Sequence, residues 1–190
     1  MCACGANSGT VNGNSVTVSG GTIGSVYGGG ANSGTVNGNS VAVSGGSIGS
    51  AVIGGYVDSS TSAAVGTAAG NSVTIDHTAD STGTTSIGGN VYGGWVANGS
   101  AAIVSGNNVT IKQTSGITSV GGTVFGGRAN SGTVSSNSVA VSGGTIGNTV
   151  IGGYVSGGTV SSNSVTFNDG YINNYNGRIY GGLVSSGTVS

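Results

Sequence analysis

The chain has few groups that could do chemistry. Its carboxylates are Asp58, Asp76, Asp80 and Asp169, its one imidazole is His77, and its thiols are Cys2 and Cys4. Only the run Asp76-His77-Thr78-Ala79-Asp80 crowds a base with acids. An imidazole beside a carboxylate suits general acid–base work, and two carboxylates flanking it could hold a cation. Adjacent residues in a loop point apart, however, and the chain has no glutamate and no second histidine. The expectation is no catalytic residue, no metal site and no cofactor. Cys2 and Cys4 are too close in sequence for an unstrained disulfide ring, and two cysteines make no framework. They read either as small apolar filler or as an intermolecular cross-link.

Composition narrows the classes further. Of 190 residues, three are Lys or Arg and four are Asp or Glu, so 4% are charged, against roughly 25% in ordinary globular proteins. Three cations are too few to neutralise a nucleic-acid backbone, so no nucleic acid is expected as a partner. The same scarcity excludes a charge-rich disordered tail. Forty-three glycines without a single proline exclude collagen. No apolar run reaches the length of a membrane-spanning helix, so no membrane insertion is expected.

The elements that would position any functional group come from a repeat. One motif, Asn-Ser-Val-Thr/Ala-aliphatic with small variations, begins at Asn14, Asn39, Asn71, Asn108, Asn137 and Asn163. A second, aliphatic-bulky-Gly-Gly, runs Val26-Tyr27-Gly28-Gly29, Val52-Ile53-Gly54-Gly55, Val91-Tyr92-Gly93-Gly94, Val124-Phe125-Gly126-Gly127, Val150-Ile151-Gly152-Gly153 and Ile179-Tyr180-Gly181-Gly182. A third, Ser-Gly-Thr-Val, begins at Ser8, Ser33, Ser131 and Ser186. The order never changes. Extra residues fall only between motifs, at 58–70, 76–85 and 112–118, as insertions in surface loops do.

Each unit holds about three short runs rich in Val, Ile, Thr and Tyr, bounded by Gly, Ser and Asn, which are strand and turn signals. No helical period appears. Strands this short cannot stand alone, but stacked coil on coil they pair in parallel. The expected fold is all-β, a right-handed parallel β-helix (β-solenoid) of about six coils with roughly three strands per coil. It forms one domain over 1–190, with repeats near 5–29, 30–55, 56–94, 95–127, 128–153 and 154–182 and a partial unit at 183–190. Coils about 4.8 Å apart would make a rod roughly 29 Å long.

Stacking turns repeated positions into columns. Asn14, Asn39, Asn71, Asn108, Asn137 and Asn163 are expected to form a structural ladder bonded amide to amide. Tyr27, Ile53, Tyr92, Phe125, Ile151 and Tyr180 are expected in the core, with Gly-Gly supplying a corner through positive φ or close backbone approach. The position after Gly-Gly varies freely, which suggests an outward face. Tyr56, Trp95, Arg128 and Tyr154 would form a stripe there, with Arg128 stacked between rings. Such a stripe either binds a glycan or a neighbouring filament, or merely stabilises the sheet. Thr10, Thr35, Thr133, Thr159 and Thr188 recur as single columns, a weak pattern for ice binding. Asn98-Gly99-Ser100 and Asn108-Val109-Thr110 match the glycosylation sequon, and no use of them is expected. A polysaccharide-degrading β-helix would need carboxylates or basic groups gathered on one face. Asp58 and Asp169 are several coils apart, so Asp76 and Asp80 are its only candidates.

Neither end of the sequence reads as a cap, and Met1 is followed by no basic and apolar leader. The expectation is either a window from a longer exported protein or a subunit that stacks end to end into a head-to-tail homopolymer.

The series Asn14-Ser15-Val16-Thr17-Val18-Ser19-Gly20-Gly21, onward to Tyr27-Gly28-Gly29, resembles the Gly-rich passenger repeats of bacterial autotransporter and adhesin proteins, over essentially the whole chain. The resemblance implies a β-helix displayed outside a bacterial cell, at the surface or in an extracellular structure. The expected role is structural and non-enzymatic, a filament-forming or surface scaffold. The alternative is an adhesin segment that binds host or matrix glycans, and the remote alternative is the polysaccharide-degrading enzyme.

Overall fold

The computed structural model describes residues 5–59, 65–78 and 83–190. Cys2, Cys4 and Asp80 lie outside the described residues. The described chain is all strand and turn, and its strands stack in parallel as a β-solenoid of about six turns.

An early coil shows the plan. It runs through Thr22–Ile23, Val26–Ala31, Gly34–Asn37 and Ser40–Val43. The coil therefore has four strands where about three were expected, Thr22–Ile23 and Val26–Ala31 being separated at Gly24-Ser25. In later coils the corners straighten and neighbouring sides fuse, as in Val124–Ser135, Ser138–Ile146 and Val150–Ser161. Each side pairs in register with the same side of the next coil: Val16 with Val41, Val41 with Val73, Val73 with Val109, and Val109 with Val139. Coils of different length keep this register.

Inward side chains form two apolar lobes. The larger is built from columns such as Val18-Val43-Ile75-Ile111-Val141 and Ile48-Ile87-Val120-Ile146. The smaller holds Val36-Ala68-Val104-Val134-Val160 and Ala31-Val57-Val96-Ala129-Val155. Val and Ile suit these columns because branched side chains pack well on a pleated surface. Each fully buried one contributes about 1.5–3 kcal/mol of transfer free energy.

Between the lobes runs a polar waist. Asn39, Asn71, Asn107 and Asn137 are wholly buried there, in line with Asn14 and Asn163. Each Nδ2 donates to the Oδ1 of the next asparagine toward the C-terminus, at 2.8 Å from Asn14 to Asn39 and at 2.8 Å from Asn107 to Asn137. The backbone N–H of the same residue donates to that same oxygen. The second amide proton goes to a backbone carbonyl, as from Asn107 to Ala68 at 2.9 Å and from Asn137 to Val104 at 3.0 Å. Burying an amide is tolerable only when its hydrogen bonds are made, and these are.

The ladder corrects one expectation. Its fourth member is Asn107 and not Asn108. Asn108 pairs in register with Ser72 and Ser138 and faces outward, where its Oδ1 accepts a bond from Ser138 Oγ at 3.0 Å. In every coil the ladder residue stands two places before the first core valine, and Asn107 holds that place relative to Val109.

The Gly-Gly pairs line the other side of the waist. None of them has a left-handed φ, so close approach is what requires them. A Cβ on Gly127 would sit 2.6 Å from Asn137 Cγ, and one on Gly29 would sit 2.8 Å from Asn39 Cγ. The asparagine ladder and the Gly-Gly column are therefore two halves of one device.

Candidate functional site

The side of the solenoid that carries Gly-Gly has a distinctive outer surface. In a regular strand, residues three apart point to opposite faces. Here the second glycine of a pair turns its Cβ position onto the ladder asparagine, and the first turns its own onto the glycine carbonyl of the next coil and the backbone beside the ladder. The residues on either side of the pair consequently emerge on the same outer face, while Val52 and Val57 beyond them both turn inward. Ile53, Tyr92, Phe125 and Ile151 form a cluster separate from both interior lobes, and Tyr56, Trp95, Tyr154 and Leu183 pack against it.

The bulky column is buried as expected, but in a cluster of its own, against which Tyr27 and Tyr180 are only partly buried. Ile53, Tyr92, Phe125 and Ile151 are buried, but from outside. Tyr56 and Trp95 in the adjacent column cover them. Two bulky positions three residues apart, with Gly-Gly between them, are the sequence signal for this surface.

The two columns interlock as a pavement. Tyr56, Trp95, Arg128 and Tyr154 are register partners in successive coils. Tyr92 stacks on Phe125 with centroids 5.1 Å apart and planes 4° apart, and on Trp95 at 4.8 Å and 21°. Tyr56 meets Trp95 edge-on at 5.1 Å. The Arg128 guanidinium lies 5.4 Å from the ring centroids of both Trp95 and Phe125, and 5.7 Å from that of Tyr154. Its Nη1 donates to Tyr92 Oη at 3.1 Å. A cation held over several ring faces is stabilised by their quadrupoles, by roughly 0.5–2 kcal/mol according to its desolvation.

Two phenols at the edges are perturbed in opposite directions. Burial, reinforced by the charge of Asp58 and a hydrogen bond to it, pushes Tyr56 up to about 12. Hydrogen bonds with Ser156 and then Ser185 lower Tyr154 below its usual range.

A groove of about 530 Å³ opens in the pavement near Ile151. Ile151 interrupts a column that has rings at Phe125 and Tyr180 in the neighbouring coils. Arg128 and Arg178 both line the groove, and no aspartate does. Arg178 was not singled out in the sequence; it stands two residues before Tyr180 and so on the same outer face.

Of the acid–base segment, the described Asp76 and His77 bond to residues of the fold. Asp76 accepts two bonds from Thr114, 2.9 Å from its N and 2.7 Å from its Oγ1, and so fastens a loop of the next coil. His77 is buried, with Nδ1 3.0 Å from Thr85 Oγ1 and its carbonyl accepting from Ser115 Oγ at 3.0 Å. Asp58 accepts from Asn98 at 3.1 Å, and Asp169 bonds the N–H of Gly170. Among the described residues no three His, Cys, Asp or Glu side chains could hold a metal ion together. The threonine column is longer than the motif showed. Thr67 and Ile103 join it between Thr35 and Thr133.

Fold and surface together define the class: a parallel β-solenoid with an internal asparagine ladder and an external aromatic pavement. No protein family, no curated protein and no solved structure matches the chain.

Proposed function

We propose that the chain is a structural solenoid subunit that acts outside the cell and extends by stacking coil on coil. Its support is the fit between the two end coils. Val184, Thr188 and Val189 stand in the same columns as Ala6, Thr10 and Val11. Among the described residues, Ile179–Val189 is paired on one side only, and so are Gly5–Ala6 and Thr10–Asn12. Val165, Phe167 and Ile172 pack on the core but are only partly buried.

The ladder gives the contact a direction. From Asn14 to Asn137 each ladder amide donates one proton to the Oδ1 of the next asparagine toward the C-terminus, so a second copy whose Asn14 follows Asn163 continues the ladder, while a reversed copy does not. Such a contact is head-to-tail and propagates. With 4% charged residues, little repulsion guards the edges. The low charge and the resemblance to passenger repeats favour an extracellular or bacterial-surface setting.

Electron microscopy and sedimentation across a concentration series test this reading. Uniform filaments above a threshold concentration are expected, and Val184→Lys with Val189→Lys should return short rods. Discrete rods of the unaltered chain at every concentration would refute it.

A further inference from the structure

The groove beside Ile151 concentrates the cations of the molecule. Lys and Arg number three in the whole chain, which carries a net charge of −1. Two of the three, Arg128 and Arg178, line this one groove. Neither is neutralised there. Arg128 Nη1 is bonded to Tyr92 Oη, Arg178 Nη1 to Tyr180 Oη at 3.1 Å, and both acceptors are uncharged phenols. Arg128 is held rigidly among rings, and its Nε is buried with no hydrogen-bond partner. Arg178, the other arginine of the lining, is fully exposed.

The rest of the lining completes a recognisable chemistry. Phe125, Tyr154 and Tyr180 offer apolar ring surface. Asn148, Thr149 and Asn176 offer amides and a hydroxyl along one side. The volume falls within the span of small-ligand sites, roughly 300–1,000 Å³. Aromatic faces take the C–H faces of a sugar ring, amides and hydroxyls take its hydroxyls, and paired guanidiniums take an anionic substituent.

We propose that this groove binds one residue of an acidic polysaccharide, with a uronate carboxylate or sugar sulfate set between Arg128 and Arg178. The same face supplies an internal contrast. A second groove at the other end, lined by Tyr27, Tyr56, Asn7 and Asn32 around Gly30, has aromatic and amide groups but no cation. Charge, and not the rings alone, selects the site.

The test is titration calorimetry of the whole chain with polygalacturonate, with heparin and with neutral dextran. Binding to polygalacturonate or heparin, weakening with salt, and none to dextran is expected; which polymer binds identifies the carboxylate or the sulfate as the anion. Arg178→Gln, at an exposed position that leaves the pavement intact, should weaken binding at least tenfold. Tyr27→Ser in the cation-free groove should leave it unchanged. Equal binding to dextran, no binding to either acidic polymer, or unaltered affinity in Arg178→Gln would each overturn the proposal. So would displacement of the polymer by millimolar inorganic sulfate as effectively as by free galacturonate, since the sugar ring would then contribute nothing. Val184→Lys with Val189→Lys blocks stacking at residues that do not line the groove, so loss of binding and loss of assembly are separable results.

Discussion

Asn71 bonds twice to one atom of Asn107: its backbone N–H and its Nδ2 both donate to Asn107 Oδ1, each at 2.9 Å. Asn107 repeats the pattern with Asn137 and passes its other amide proton to Ala68. A side chain that satisfies this many buried groups leaves several of them orphaned when it is removed. Each orphan costs about 1–3 kcal/mol. Asn107→Ala should therefore lose about 3 kcal/mol or more in chemical denaturation. Asn108→Ala, one residue on and outward-facing, should change stability by no more than about 0.5 kcal/mol. Equal effects at the two positions would mean that the ladder does not run through Asn107.

The repeat, the parallel stacking and most of the ladder were legible because each rests on a short motif recurring in fixed order. Asn107 was missed because coil four offers two asparagines in a row, and the motif was anchored on the one beside the valine. The better anchor is the residue before the ladder. Gly13, Gly38, Gly70 and Gly106 precede Asn14, Asn39, Asn71 and Asn107, and all four have φ between 60° and 69°. The pavement was half legible. Free variation after Gly-Gly marked Tyr56, Trp95, Arg128 and Tyr154 as outward. The bulky residue before Gly-Gly was legible as buried, but its place in a cluster apart from the two lobes was not, because that follows from the close approach of the two glycines to the next coil and the ladder. The groove could not be read at all, since it depends on Ile151 being smaller than the rings above and below it.

Arg128 should matter to stability out of proportion to its place on the surface. It lies 5.4 Å from the centroids of both Trp95 and Phe125. Arg128→Gln removes the charge that these rings stabilise and should cost about 1–2 kcal/mol. Arg128→Lys should recover only part of this, because an ammonium cannot lie flat against several rings. Trp95 is the only tryptophan, so its fluorescence reports the change directly. An unaltered emission spectrum in Arg128→Gln would contradict the stacking.

Tyr56 ties stability to alkaline pH. Its phenol is raised from the usual 10.0 to about 12, first by burial and then by Asp58. The folded state therefore favours the neutral phenol more than the unfolded state does. That contribution is whole below about pH 10 and is lost as the pH rises toward 12. Comparing the unaltered chain with Tyr56→Phe across this window isolates it. The stability difference should be flat below pH 10 and should shift against the unaltered chain above it. A difference that stays constant through the window would show that Tyr56 ionises alike in both states.

The turn before the ladder offers a stabilising change. Four coils place glycine there, but the last two place Ser136 and Ser162, held at φ of 55° and 53°. A residue with a Cβ in the left-handed region pays roughly 1–2 kcal/mol that glycine does not. Glycine gives back part of that through its greater freedom when unfolded. Ser136→Gly and Ser162→Gly should each gain about 0.5–1 kcal/mol, the balance of these two terms. The two sites lie at the same turn of adjacent paired coils, close enough to couple, so the gain of the double variant should depart from the sum of the single gains. Chemical denaturation of the single and double variants checks both claims. A loss at either position would mean that the serine hydroxyl makes a contribution larger than the backbone strain it accompanies.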